Sequence, residues 1–417
     1  MAIVGFAEFG EGDELVGIIG HLDVVPAKEE DWSYSPFVPT IANHCIYGRG
    51  AIDDKGPVIS SLYAMKAVME YTKEHSITLS RRVRLIVGLN EEKDWKCMDY
   101  YKANEEIPTV GFSPDSDFPC IYAEKSVISL TLSQEIAKIT PSLKNRFSFQ
   151  NCAITIEEID CHQNAINVVP KFCSVILKIE DSKWMNHLIS SCKETIEQYD
   201  YEIDLYKIDD CLLKLSSYGV ASHSAHPELG KNAISKLLVV LHDLFSSWNI
   251  SFPLLQNFYQ FIGDDYLGSK LGIAIKDESG VLTLNPSQFY LKNNKVCIGI
   301  NLRVPVHTKP EEIISIFEKH FENQVSVLRI QPALYVPKEH PLVQSLCSIF
   351  NETCHTNFEP IAIGGATYAR AFPNCVCFGM NFPKDEDMCH QVDEFVSIDK
   401  LLLASTIYAK AIFKLAE

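Results

Sequence analysis

The stretch Leu15-Val16-Gly17-Ile18-Ile19-Gly20-His21-Leu22-Asp23-Val24-Val25-Pro26 sets an imidazole and a carboxylate directly beyond an apolar run. Leu15 to Ile19 reads as a buried strand, and alternate strand residues share a face, so His21 and Asp23 at its far end point the same way. Both side chains can therefore enter one site. A neutral His binds a metal through one ring nitrogen while a nearby carboxylate fixes its tautomer through the other, which makes His21 the ligand and Asp23 its supporting partner. Alone, a His-x-Asp triplet is more often a surface His beside a turn Asp. Residues further along the chain decide the matter.

Tyr47-Gly48-Arg49-Gly50-Ala51-Ile52-Asp53-Asp54-Lys55-Gly56-Pro57 adds carboxylates in a tight, glycine-rich turn. A second buried-strand pattern, Arg84-Leu85-Ile86-Val87-Gly88-Leu89, ends in Asn90-Glu91-Glu92. Adjacent glutamates at a strand end face opposite ways, so one can bind a metal while the other reaches a water beside it. Phe112-Ser113-Pro114-Asp115 supplies another acid, and Asp387-Met388-Cys389-His390-Gln391 brings a second His near the C-terminus. Singly these are a solvated charge run, a turn former and one of thirteen histidines. Together, in this order, they describe a metal site. Imidazole and carboxylate donors with no obligatory Cys suit zinc and also permit manganese or cobalt.

With these motifs the chain resembles the M20 metallopeptidases, and among them the bacterial dipeptidases of the PepV type, which act on short peptides including Xaa-His and β-alanyl dipeptides. Further matching motifs are Asn167-Val168-Val169-Pro170, Ala221-Ser222-His223, Asn301-Leu302-Arg303 and Gly364-Gly365-Ala366-Thr367-Tyr368-Ala369-Arg370. The resemblance covers essentially the whole chain. It implies two zinc ions bridged by Asp53, with His21 and Asp115 completing one site and Glu92 and His390 the other. It assigns the general base to Glu91 and makes the Asp53–Asp54 peptide bond cis. Two cations a few ångströms apart need a shared anion between them, which agrees with that division.

The same resemblance gives His223 the scissile carbonyl, where a donor aimed at developing negative charge lowers the barrier. His226 is read as a residue preceding a helical turn at Pro227. Arg303 would clamp the free carboxylate of the substrate with its planar fork of donors; without the resemblance, a strand Arg in an exposed ion pair explains it as well. Asn167 and the turn at Gly364-Gly365 are expected to line the substrate cleft, where small residues let backbone approach a ligand.

Composition agrees with this picture. The chain has 417 residues, 47% of them hydrophobic, enough for more than one core. No charged-then-apolar leader and no run of about 18 or more apolar residues stands out, so a cytoplasmic protein without membrane contact is expected. Its 14 cysteines are scattered through apolar segments without zinc-ribbon spacing and read as reduced, buried thiols. A formal charge of −17 argues against a nucleic-acid partner.

The expected fold class is α/β, a zinc-peptidase-like catalytic domain carrying a large inserted α+β lid. Strand-like runs alternating with the helical pattern Val58 to Lys73 give a first catalytic part over 1–123. A lid over 124–335 follows, with strands such as Val127 to Leu132 and helical patterns near Lys231 to Trp248 and Pro310 to Phe321. The catalytic domain resumes over 336–417. The size of the insertion points to a monomer acting on a small peptide.

Three features depart from the family pattern. The first strand, Ile3 to Phe9, opens the chain, so helices that precede it in relatives are absent and apolar surface is expected to be exposed. Leu89-Asn90 precedes the glutamate pair where relatives usually show Thr-Asp or Thr-Asn. Ala366 replaces a third glycine. The leading function is metal-dependent dipeptide hydrolysis, with Glu91 taking the proton of the attacking water and returning it to the leaving amine. Competing readings are deacylation of N-acyl amino acids and a catalytically impaired binding module.

Overall fold

The computed structural model describes residues 3–136, 140–141, 154–162 and 164–417, in two compact units. The first comprises Met1–Glu124 and Ala333–Glu417, the second Lys125–Pro332.

In the first unit, strands run in the order Val4–Phe9, Arg81–Gly88, Glu14–His21, Val110–Ser113, Cys375–Cys377, Ile121–Glu124 and Leu334–Tyr335, with Ile361–Ile363 paired beside Ile121–Glu124. Glu14–His21 lies parallel to both Arg81–Gly88 and Val110–Ser113, and Cys375–Cys377 is parallel to Val110–Ser113. Leu15, Val16, Ile18 and Ile19 are fully buried, as are Val83 and Ile86 beside them. Such near-continuous apolar runs are what strands covered on both faces require. Register sets His21 opposite Gly88, so the carboxyl ends of these strands lie level with one another. That edge of a parallel sheet is where ligand sites are built.

Helix Lys55–His75 buries Val58, Ser61, Ala64, Met65, Val68 and Thr72, a spacing that makes one face of a helix. It packs on Ile398–Ala416, which also meets Pro341–Cys354. Leu62, Tyr63 and Met69 on the same helix and Phe6 on the edge strand are exposed. A largely apolar cavity of about 410 Å³ opens there, lined by Ala7, Phe9, Leu62, Met65 and Met69 among others.

The second unit holds two antiparallel four-stranded sheets. One runs Thr283–Lys292, Lys295–Val304, Ser126–Glu135, Val325–Gln331; the other runs Ile154–Asp160, Phe172–Ile179, Leu212–Tyr218, Ile203–Lys207. Helix Ala233–Ser247 buries Leu237, Leu238, Leu241 and Leu244 in a core shared by residues of both sheets. Its start is capped by Asn232, whose side chain accepts the Ser235 amide at 2.9 Å.

Two cysteines differ from the reading of scattered reduced thiols: Cys161 and Cys173 are bonded to each other as a disulfide. Cys173 lies in Phe172–Ile179 and Cys161 directly follows its neighbour Ile154–Asp160, a proximity that chain spacing does not reveal. The other described cysteines are free.

Candidate metal centre

All candidate ligands but Asp53 come after strands of the central sheet of the first unit. His21 ends Glu14–His21, Asn90–Glu92 follows Arg81–Gly88, Asp115 follows Val110–Ser113, and the segment carrying His390 comes after Cys375–Cys377. Asp53 precedes helix Lys55–His75, and its peptide bond to Asp54 is cis.

Asp53 stands between two imidazoles. Its Oδ1 lies 2.9 Å from His21 Nε2 and its Oδ2 lies 3.0 Å from His390 Nε2. His21 Nε2 is 3.6 Å from Asp115 Oδ2, and His390 Nε2 is 3.1 Å from Glu92 Oε1. Ligand atoms of His21, Asp53 and Glu92 fall within 4.8 Å of one another, and so do those of His21, Asp54 and Asp115.

Asp23 meets both His21 and the turn that carries the two glutamates. His21 Nδ1 lies 2.9 Å from the Asp23 backbone carbonyl and 3.5 Å from the Asp23 carboxylate. The carbonyl is therefore the partner that fixes Nδ1 as the protonated nitrogen and leaves Nε2 facing the carboxylates. The Asp23 carboxylate instead accepts the amides of Glu91 at 3.0 Å and Glu92 at 3.2 Å. Those glutamates lie in the turn after Gly88 rather than on the strand, so the turn and Asp23, not strand alternation, separate their side chains.

Glu92 reaches His390, whereas the buried Oε1 of Glu91 accepts no hydrogen bond. Burial, followed by repulsion from Asp115, pushes the Glu91 carboxyl well above the usual carboxylate range. Burial and then repulsion from Asp53 push Asp115 up to about 6. For His390 burial works downward, yet its bonds to Asp53 and Glu92 carry it to about 11. For His21 burial also works downward and is outweighed by Asp115, Asp23 and Asp53. Asp53 is held below the usual range because its bonds to His21 and His390 outweigh burial.

So many carboxylates in one buried place demand positive charge. Protonated imidazoles would offset part of that charge, and a divalent cation held by the same residues would supply it in their place. The donor set, imidazole nitrogens and carboxylate oxygens, fits a divalent cation.

Several partners were not visible as such in the sequence. Asp54, fully buried, accepts the His21 amide at 2.9 Å and holds the strand end. The Tyr368 ring meets the His21 ring edge-on with centroids 6.2 Å apart. Glu394, also fully buried, accepts from the backbone of the loop that carries Asp53. A buried acid and an exposed one look alike in a sequence without periodic context.

Gly364 and Gly365 lie in the first unit, and the Gly365 carbonyl accepts from Arg370 Nη2 at 2.8 Å. The other expected substrate contacts lie in the second unit, where they gather around Ser224. Val168 pairs with His223, and the Ser224 amide donates to the Asn167 carbonyl at 2.9 Å. Thr283 Oγ1 donates to the Ser224 carbonyl at 2.9 Å, and Thr283 is the register partner of Arg303. Arg303 is buried, not an exposed strand residue, and its Nε donates to Asn301 at 3.0 Å. His226 is exposed and lies 3.1 Å from Glu228, just before the turn Pro227–Leu229.

The profile of Peptidase family M20/M25/M40 matches residues 17–414. The chain belongs to the M20 peptidase family. It is accordingly a peptide-bond hydrolase with a mixed α/β fold. "Putative dipeptidase YtjP" of Bacillus subtilis (strain 168) is 34% identical over 419 residues, covering 99% of this chain and 85% of that protein. A similarly named protein of Staphylococcus aureus (strain N315) is 33% identical over 419 residues, with the same coverage of 99% and 85%. Among solved structures, the M20 fold recurs in aminoacylhistidine dipeptidase from Vibrio alginolyticus, with a TM-score of 0.55 at 14% identity over 99% of this chain and 88% of that one. The di-peptidase Dug1p from Saccharomyces cerevisiae gives a TM-score of 0.55 at 14% identity, over 99% and 82%. Among the described residues of this M20 chain, no helix is long and apolar enough to cross a membrane.

Proposed function

We propose that this M20 peptidase hydrolyses dipeptides, in the manner of the PepV type, at a pair of divalent cations, zinc being the preferred metal. The observation that carries the reading is the placement of Asp53, with one carboxylate oxygen turned to His21 and the other to His390. His21 and Asp115 would hold one cation and Glu92 and His390 the other. Held there, such a pair would supply polarisation of the scissile carbonyl and a water of near-neutral pKa.

Glu91 takes the proton of the attacking water and passes it to the leaving amine. A carboxyl raised by burial holds a proton more readily than an exposed one, which supports that role. Its unbonded Oε1 leaves it free to do so, whereas Glu92 is engaged with His390.

Asp23 keeps His21 in the right tautomer through its carbonyl and fixes the Glu91–Glu92 turn through its carboxylate. The family resemblance supports His223 as donor to the developing oxyanion, Arg303 as the clamp on the substrate carboxylate, and Asn167, Gly364 and Gly365 as cleft residues. It also supports a monomer, and the predominance of free thiols supports a cytoplasmic setting.

The test is a kinetic panel on the purified chain loaded with zinc, manganese or cobalt, comparing dipeptides, longer peptides and N-acyl amino acids. Dipeptides should give the highest kcat/KM with each active metal. A preference for N-acyl amino acids or for longer peptides would overturn the substrate assignment.

A further inference from the structure

Two loops supply the central and the most distant ligands of the candidate metal centre: Gly48–Asp53, which ends in the bridging carboxylate, and the segment from His390 to Glu394. They meet on the short sheet in which Phe395 pairs with Tyr47. That pairing delivers Glu394, with a relative exposure of 0%, into the concave side of the Asp53 loop. There its carboxylate accepts from Arg49 Nη1 at 2.7 Å and from the amides of Gly50 at 3.0 Å, Ile52 at 2.9 Å and Asp53 at 3.2 Å. The Glu394 carbonyl accepts the Gly48 amide at 3.0 Å. Gly50, at φ 87°, adopts the left-handed backbone that helps turn these amides toward one point.

The second arm of the Arg49 fork reaches the other loop, with Nη2 donating to the His390 carbonyl at 3.3 Å. His390 is itself left-handed at φ 65°, a conformation that a residue with a Cβ keeps only where its surroundings enforce it. One buried carboxylate and one planar cation thus hold both the amide of Asp53 and the backbone of His390. A buried charge accepting several N–H donors is expensive to remove and stiff to deform.

We infer that Glu394 is a positioning residue of the metal centre: through the amides of the Asp53 loop and through Arg49 it fixes Asp53 and His390 relative to each other, and so sets the affinity for the metal pair. The inference rests on the proposed metal centre. It predicts a loss of metal affinity rather than of substrate affinity, because Glu394 faces the ligands' backbone and not the cleft. Partners that orient metal ligands are commonly worth roughly 10–100-fold in metal affinity.

The experiment titrates the metal-free protein with zinc against a chromophoric chelator, for the parent, Glu394→Gln, Arg49→Lys and Asp53→Ala. Glu394→Gln keeps the shape but turns an amide donor toward a nest of donors. It should bind at least one cation about 10–100-fold more weakly, with kcat recovered in excess zinc and the dipeptide KM unchanged. Arg49→Lys keeps the charge but loses the fork, and should show a smaller loss in the same direction. Asp53→Ala separates the two readings: if it still binds two cations tightly, the metal centre itself is misassigned. If Asp53→Ala loses metal while Glu394→Gln retains parental affinity, only the role of Glu394 is overturned. Should Glu394→Gln fail to fold by circular dichroism, folded Arg49→Lys decides, and parental zinc affinity there overturns the inference.

Discussion

The Asp23 carboxylate accepts the backbone amide of Glu91 at 3.0 Å, and with its second oxygen it takes the Glu92 amide at 3.2 Å. One side chain thus sets the turn from which the proposed proton carrier and the proposed metal ligand both project. Asp23→Ala should weaken metal binding roughly 10–100-fold and lower kcat as well, because both glutamates lose their anchor. Asp23→Asn, which keeps one acceptor, should fall between that variant and the parent. Zinc titration together with initial rates reads both effects.

Glu91 is the residue whose loss should separate chemistry from metal binding. Glu91→Ala should lower turnover by about 10²-fold or more while leaving metal content near that of the parent. Metal analysis of the purified variant checks this. Loss of metal would mean that Glu91 and Glu92 have exchanged roles.

Arg370 and Glu124 form an ion pair of 2.7 Å with both side chains at 0% exposure, and Arg370 also holds the Gly365 carbonyl. Removing one charge strands the other in the interior. Arg370→Met should therefore destabilise the fold by about 3–5 kcal/mol, measured by urea unfolding. The double change Glu124→Leu with Arg370→Met should recover part of that loss, since no unpaired charge remains.

Gly88 ends a central strand, where a Cβ would fall 2.7 Å from the Tyr368 ring and 2.9 Å from Met98 Cε. Tyr368 in turn contacts His21. Gly88→Ala should cost about 1–3 kcal/mol through overpacking and should move the ring against the ligand. A lowered melting temperature accompanied by weaker zinc binding is the expected pair of results.

The mixed α/β class was readable because the central strands are nearly continuous apolar runs, as at Leu15–Ile19 and Arg84–Leu89. The same property made the candidate site readable: His21, Glu91, Glu92 and Asp115 follow directly on such runs, and parallel strands bring their carboxyl ends together. Proximity between separate segments of the chain was not readable. The pairing of Phe395 with Tyr47 that buries Glu394, the Glu124–Arg370 pair and the Cys161–Cys173 bond all depend on which segments become neighbours, and local periodicity carries no record of that. The Asp23 carboxylate lies 3.5 Å from His21 Nδ1, and its bonds to the Glu91 and Glu92 amides are a second task that the sequence did not show. A strand alternation rule describes side chains and says nothing of the amides in the following turn.

The central claim, that these carboxylates and imidazoles form a two-cation hydrolytic centre, is tested most directly by metal analysis and dipeptide hydrolysis on one preparation of the purified chain, before and after chelation. Two divalent cations per chain, turnover lost on chelation and restored by zinc are the predicted result. Dipeptide cleavage that persists in the metal-free protein, or two bound cations without turnover of any dipeptide, would contradict it.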